Sequence, residues 1–263
     1  MLRAMKTAVT GMNAQQILID TIANNLANIN TVGYKAQRAT FRDLLYQTIK
    51  EPGRIVRLNY TAPIGIQLGC GTEVSAVERD FRKGRVLQTG NPLDVLIDGD
   101  GFFEVELPDG RIAYTRDGAF KLSADGLLVT SEGYPLLQRI YIPPEAESII
   151  IAKDGTVSVT YPDEVEPEVL GQIMIAKFVN PQGLKAIGEN LYVETPASGK
   201  PIEGIPGEEG FGELRQSYLE MANVDIVKEM VNMIMAQRAF EIASRVITTS
   251  DRMFEITNRL VRA

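Results

Sequence analysis

The sequence predicts an α+β fold: long N- and C-terminal helices packed together as a coiled-coil-like inner domain, with a central all-β domain between them. Three observations carry this expectation. Apolar residues recur at every seventh position near both ends of the chain, Asp-Gly turns punctuate the middle, and a Pro/Gly-rich stretch leads back to the C-terminal segment. The expected organisation is residues 1–66 as helix and extended segment, 67–203 as the β domain, and 204–263 as linker and C-terminal helix.

At the N-terminus, Met5, Met12, Ile19 and Leu26 lie on one face, joined by Ala8, Ile22 and Ile29 one turn later. The stripe predicts a helix from about Leu2 to about Ile29. The run "NNLANINTVGYKA" follows, with Asn24, Asn25, Asn28 and Asn30 set around an apolar thread that breaks at Gly33. Asparagine is poor in a helix interior because its side chain competes for nearby backbone groups. The cluster therefore marks a helix end, with Asn28 and Asn30 placed to satisfy the last turn and Gly33 as the stop.

In the middle, "PDG" at 108–110, "RDG" at 116–118, "ADG" at 124–126 and "KDG" at 153–155 alternate with short apolar runs such as "FFEVEL" and "SIIIA". Such spacing signals hairpins. "GQIMIAKFV" and "NLYVET" add later strands, and "PIEGIPGEEGFGEL" reads as the return linker.

The C-terminal segment is the most regular. Ile226, Met233, Phe240, Ile247, Phe254 and Val261 form an unbroken heptad series, with Ala236, Ala243, Ser250 and Thr257 three residues after their partners. Ala239, Val246, Met253 and Leu260 widen that face. Arg238, Arg245, Arg252 and Arg259 form a second row, in which Glu241–Arg245 and Glu255–Arg259 have the favourable acidic-first order. The row fits a solvated face or repeated intersubunit carboxylate pairing. Two amphipathic rods of this kind bury their stripes by packing on each other and on copies from neighbouring chains.

Composition removes several function classes. A formal net charge of −7 disfavours nucleic acid and anionic membrane surfaces as partners. No apolar run is long enough to span a membrane, and the start reaches Asn13 and Gln15 before any signal-peptide core accumulates, so export by a cleaved peptide is not expected. Histidine is absent and Cys70 is the single cysteine. Ser-His-Asp and Cys-His systems, histidine metal sites and intrachain disulfides are thereby excluded. "DGDGFF" fails as a calcium loop, because Phe103 and Asp109 stand where glycine and glutamate are required. Cys70 has no source of thiolate activation and reads as a small structural thiol. The carboxylate pairs Glu208–Glu209 and Asp163–Glu164 read as solvated charge, and the Met-rich "EMVNMIMAQ" as helix packing. A secreted carboxylate-dependent hydrolase is the alternative from another class, disfavoured by the lack of tryptophan and of any constellation pairing two acids. No catalytic, cofactor or metal residue is expected.

Three stretches resemble the flagellar basal-body rod and hook axial family. They are "ANNLANINTVGYKA" (23–36), "GTEVSAVERDFRKGRVLQTGNPLDVLIDGDGFFEV" (71–105) and "LEMANVDIVKEMVNMIMAQRAFEIASRVITTSDRM" (219–253), in the family's order. "FRDLLYQTIKEPG" (41–53), the later "GIQLGCGTEV" and the overall length resemble its distal-rod members. Lys83, Ala222 and Ala243 depart from the family's usual residues. The resemblance implies a structural subunit of the distal rod, polymerising helically into the shaft that carries torque from motor to hook. It also implies a periplasm-spanning location, passage through the flagellar type III export apparatus without a cleaved signal, and a β domain facing outward. Implied partners are further copies of the chain, other rod and hook proteins, the export apparatus and rod-surrounding ring proteins. Another axial subunit, proximal rod or short hook protein, is the nearest alternative. Self-assembly residues are expected at Met5, Met12, Ile19, Leu26, Asn24, Asn25, Asn28, Gly33, Ile226, Met233, Phe240, Ile247, Phe254, Arg238 and Arg245.

Overall fold

The computed structural model describes residues 2–57, 60–61, 63–162, 166–208 and 210–262. Asp163, Glu164 and Glu209, from the two carboxylate pairs, lie outside the described residues, as does the side chain of Val261. The chain is α+β and divides into two compact units. Unit 1 comprises Met1–Leu26, Gln37–Glu78 and Asp225–Ala263; unit 2 comprises Ala27–Ala36 and Arg79–Val224.

Unit 1 holds both helices, α1 (Leu2–Ala27) and α2 (Ile226–Arg262). On α1, Ala14 and Ile22 are buried, and Met5, Met12, Ile19 and Leu26 are half-buried. The helix stops short of Ile29, which belongs to unit 2 and packs beside Tyr34, Ala222 and Val224. The turn that follows is closed by the Thr31 N–H donating to the Asn28 carbonyl at 3.1 Å. Gly33 then takes φ +69°, where a Cβ would meet the Asp117 nitrogen at 2.7 Å. Only glycine fits both demands.

Asp225 starts α2. Its Oδ1 accepts from the N–H groups of Val227 (3.0 Å) and Lys228 (3.2 Å), a side-chain cap on donors that have no helical partner. Along the helix Met233, Ala236, Phe240, Ala243, Ile247, Ser250 and Phe254 are buried or half-buried. Ile226, first of the expected series, is exposed, as are Val246, Met253 and Leu260. The remaining strands of unit 1 are short ribbons. Gln37–Asp43 pairs with Thr72–Arg79, Gln47–Lys50 with Ile66–Leu68, and Ile55–Arg57 with Tyr60–Thr61.

Unit 2 is built on a six-stranded antiparallel sheet, in the order Lys185–Gly188, Leu191–Val193, Ile112–Thr115, Phe102–Glu106, Ile175–Lys177, Ile202–Gly204. Alternation along its strands feeds two apolar layers. Phe103, Val105, Ala113, Ile175 and Leu191 enter the main core, joined by Ile151, Val157 and Val159 from the three-stranded sheet of Ser148–Ile151, Thr156–Thr160 and Glu168–Gln172. The opposite face carries Phe102, Tyr114, Ala176, Phe178 and Tyr192, with Phe81 against them. These rings meet edge to face, Tyr114–Phe178 at 4.8 Å and Phe81–Phe102 at 5.5 Å between centroids.

Three of the four Asp-Gly sites make hairpins, with Gly110, Gly126 and Gly155 all at positive φ. "RDG" at 116–118 does not. Gly118 instead runs against Val95, whose carbonyl oxygen would lie 1.7 Å from a Cβ there, and its own carbonyl accepts from the Val95 N–H. The close approach, rather than a turn, requires this glycine. The expected return linker is also largely ordered. Ile202–Gly204 closes one edge of the six-stranded sheet, and Glu213–Gln216 pairs with Val95–Asp98. A sheet edge is a row of unmet backbone donors and acceptors, and the chain covers it on its way to α2.

Candidate functional site

Unit 1 contains an apolar groove of ≈ 1530 Å³. Thr7, Ala8 and Gly11 of α1 form one wall, Ala239, Ala243 and Val246 of α2 another, and Leu68, Gly69 and Cys70 the floor between. Small residues on both helices leave the space open. Gly71 lets the floor approach α1: a Cβ there would sit 2.0 Å from the Thr10 hydroxyl oxygen. Cys70 is a free, half-buried thiol. Running from that wall out to either end, Met235, Ile242, Val246 and Met253 form an exposed apolar row on α2. The arginine row is exposed as well. Glu241 pairs back to Arg238 at 3.2 Å instead of forward to Arg245, so the expected acidic-first pair is not the one formed.

The asparagine cluster separates by role. Asn24 is exposed and Asn28 half-buried, while Asn25 is 1% exposed. The Asn25 carboxamide spans the backbone of Gln37, its Nδ2 donating to the Gln37 carbonyl and its Oδ1 accepting the Gln37 N–H, both at 2.8 Å. It acts as a one-residue strand partner. Glu229, in the first turn of α2, is also hydrogen-bonded to Asn25, while burial raises the Glu229 carboxyl above its usual range. One uncharged side chain thus ties the end of α1, the start of the Gln37–Asp43 strand and the start of α2.

Unit 2 contains a buried ionic hub. Lys35 is 0% exposed, and its ammonium donates to Glu220 Oε1 (2.7 Å), the Arg82 carbonyl (3.0 Å) and the Phe81 carbonyl (3.3 Å). All three donors are used. Glu220 Oε1 also accepts from the Gly84 N–H at 2.8 Å. Arg116 lies 3.5 Å from Glu220 Oε2, too poorly aligned for a hydrogen bond, with its guanidinium 5.3 Å from the Phe102 ring centre. Two buried cations therefore share one carboxylate. Burial pulls the Lys35 amine below its ordinary value and Arg116 lowers it further, while Glu220 opposes both.

Asn223 completes the hub. Its Oδ1 accepts from the Ala36 N–H at 2.7 Å and its Nδ2 donates to the Asp80 carbonyl at 2.7 Å; the Asp80 N–H returns to the Ala36 carbonyl at 2.9 Å. Residues 36, 79 and 224 are where the chain leaves or enters unit 2. The hub fastens three of those passages to one another. Sequence reading missed Lys35, Arg116, Glu220 and Asn223, for which no local signal exists. It also missed the Asp225 cap, which was readable as an acidic residue just before a periodic run.

These arrangements hold parts together; they do not poise a nucleophile or a base. Among the described residues no group of three or more His, Cys, Asp or Glu is placed to hold a metal ion, and no helix is long and apolar enough to cross a membrane.

Comparison with known proteins agrees along the whole chain. Residues 5–35 match the model of the flagella basal body rod protein family, 96–159 that of the flagellar hook protein FlgE/F/G D1 domain, and 215–260 that of the flagellar basal body rod FlgEFG protein C-terminal family. The chain is 52% identical to the flagellar basal-body rod protein FlgG of Borreliella burgdorferi, covering 100% of both chains. It is 48% identical to the FlgG of Buchnera aphidicola from Acyrthosiphon pisum, over 99% of this chain and 100% of that one. For the FlgG of Agrobacterium fabrum the identity is 47%, over 98% and 99%.

Proposed function

This chain belongs to the flagellar basal-body rod protein family and is a structural subunit of the distal rod rather than an enzyme; from that premise we propose that it builds the rod by self-association through unit 1. The observation that carries the reading is the uncovered apolar surface of the two helices: an apolar groove with the exposed row Met235, Ile242, Val246 and Met253 running from its wall. Each such side chain gains about 1.5–3 kcal/mol on full burial, and a neighbouring copy supplies that cover. The seven-residue spacing of Met5, Met12, Ile19 and Leu26 and of Met233, Phe240, Ile247 and Phe254 suits coiled-coil-like contacts in the stack. Asn24, Asn25, Asn28 and Gly33 shape the exit from α1; Ile226 and the arginines Arg238 and Arg245 lie exposed for contacts between copies.

The protein works in the flagellar basal body with other rod and hook proteins. Its finer setting belongs to the same proposal: a helical homopolymer crossing the periplasm, exported by the flagellar type III apparatus without a cleaved signal, and passing the rod-surrounding rings. In that setting the inner part is unit 1, which carries both helices, and unit 2, built on the six-stranded sheet, faces outward. Purified hook–basal bodies labelled with a tag in the Asp109–Gly110 turn test the proposal. Label along the outside of the distal rod is the expected result, and label confined to the hook or the proximal rod overturns it.

A further inference from the structure

Glu104 is buried where its sequence pattern points to water. In "FFEVEL" alternation sets Glu104 and Glu106 against Phe103 and Val105, yet both faces of the six-stranded sheet carry an apolar layer. Glu104 shares the face of Phe102 and lies directly across from Tyr114. It is 1% exposed, and among the described residues neither carboxylate oxygen has a hydrogen-bond partner.

Among the described residues no counter-charge acts on it. Tyr114 faces it from Ile112–Thr115, Glu203 acts on it from the edge strand Ile202–Gly204, and Glu194 follows the strand Leu191–Val193 on the far side of Tyr114. On its own strand, Glu106 is paired with Arg139. Lys177, on the adjoining strand, is paired with Asp100, and Arg116 with Glu220. A carboxylate ion sealed without a partner is strongly disfavoured, whereas the neutral acid is tolerated at far smaller cost.

We propose that Glu104 is a proton-operated latch on unit 2: the folded unit holds it as the neutral acid, and its ionisation loosens the sheet. Burial first, and the Glu203 carboxylate second, push the Glu104 carboxyl up to about 7. Burial first, then the carboxyl groups of Glu104, Glu194 and Glu203, raise the Tyr114 phenol, so that ring stays neutral across the range. The unfolded chain releases the Glu104 proton near its ordinary value of 4.5. Between about 4.5 and 7 the folded unit therefore binds more protons, and its stability falls as pH rises. Above that window the loss is complete and constant.

The test uses the full chain and two readouts. The first is the ¹³C resonance of the Glu104 side-chain carboxyl followed from pH 4 to 9. A midpoint near neutrality is expected, lowered in Glu203→Gln; a midpoint in the ordinary glutamate range overturns the proposal. The second is urea denaturation followed by circular dichroism, comparing the wild type with Glu104→Gln. From pH 4.5 to 8 the folding equilibrium constant of the wild type should fall on the order of 100-fold relative to the variant. Parallel curves overturn the proposal. If Glu104→Gln does not fold, the carboxyl titration of the wild type decides alone.

Discussion

Unit 2 satisfies itself and unit 1 does not. The main core of unit 2 gathers large apolar side chains such as Phe103, Phe120, Leu128 and Ile173, each with no exposure at all. Among the described residues of unit 1 the buried apolar ones are Ala14, Ile22, Ala39 and Ala236, three of them alanines. Among the described residues most of the exposed large apolar side chains belong to unit 1, from Leu45 and Ile64 between the ribbon strands to Met235 and Leu260 on α2. The two units therefore differ in what they leave open. Unit 2 buries most of its own large apolar side chains, and unit 1 keeps apolar surface that the proposed self-association would cover.

The sharpest way to break that contrast is to charge the helix face. Ile242→Asp or Met253→Asp places a carboxylate on the exposed row that a neighbouring copy is proposed to cover, at a cost of several kcal/mol per subunit interface. Rods and motility should be lost, while the β-type circular dichroism of the monomer is retained. Normal rods from either variant would show that this face is not an assembly surface.

Next in size is Glu220→Gln, which leaves Lys35 and Arg116 buried without their shared carboxylate. Removing one partner of a buried ion pair costs about 3–5 kcal/mol. Urea denaturation should show that loss in unit 2. A loss below about 1 kcal/mol would mean that the carboxylate does not hold the hub together.

Asn25→Ala tests unit 1 from within. It orphans the backbone N–H and C=O of Gln37, a penalty of about 1–3 kcal/mol for each group left dry. Hydrogen exchange at Gln37 should rise, with exchange in unit 2 unchanged. Asn25→Asp should be no better, since a carboxylate cannot donate to the Gln37 carbonyl.

Smallest of all is Cys70→Ser. The thiol is free and half-buried, so the change should cost less than about 1 kcal/mol and leave rods and motility intact. A motility defect with a folded monomer would give the groove floor a role beyond shape.

Legibility follows the same division. The helices of unit 1 were readable because their packing repeats, and a repeat leaves its period in the sequence. The hairpins of unit 2 were readable where a turn needs Asp-Gly, at 108–110, 124–126 and 153–155. "RDG" at 116–118 misled because glycine serves close approach as well as turning. Lys35 and Glu220 were invisible. Each reads as an ordinary surface charge, and the partner that makes it otherwise is 185 residues away. Glu104 was hidden by the opposite problem: its alternation is correct for a sheet with one wet face, and this sheet has none. The heptad stripe Met233, Phe240, Ile247 and Phe254 is half-buried within the chain, and the exposed row Met235, Ile242, Val246 and Met253, on which the proposed self-association rests, lies outside the series that the sequence marked.

The 185-residue span of the Lys35–Glu220 bond also sets an order of events. A chain that appears N-terminus first presents Lys35 early and Glu220 only when most of its length is out. Until then the ammonium has no carboxylate, Gly33 has no strand to receive its N–H, and the Ala36 N–H has no Asn223. Long-range closures of this kind are slow, because the loop entropy is lost before the contact is gained. The hub therefore closes last within unit 2: its ring of bonds is complete only once Glu220 and Asn223, just before the final helix, are in place.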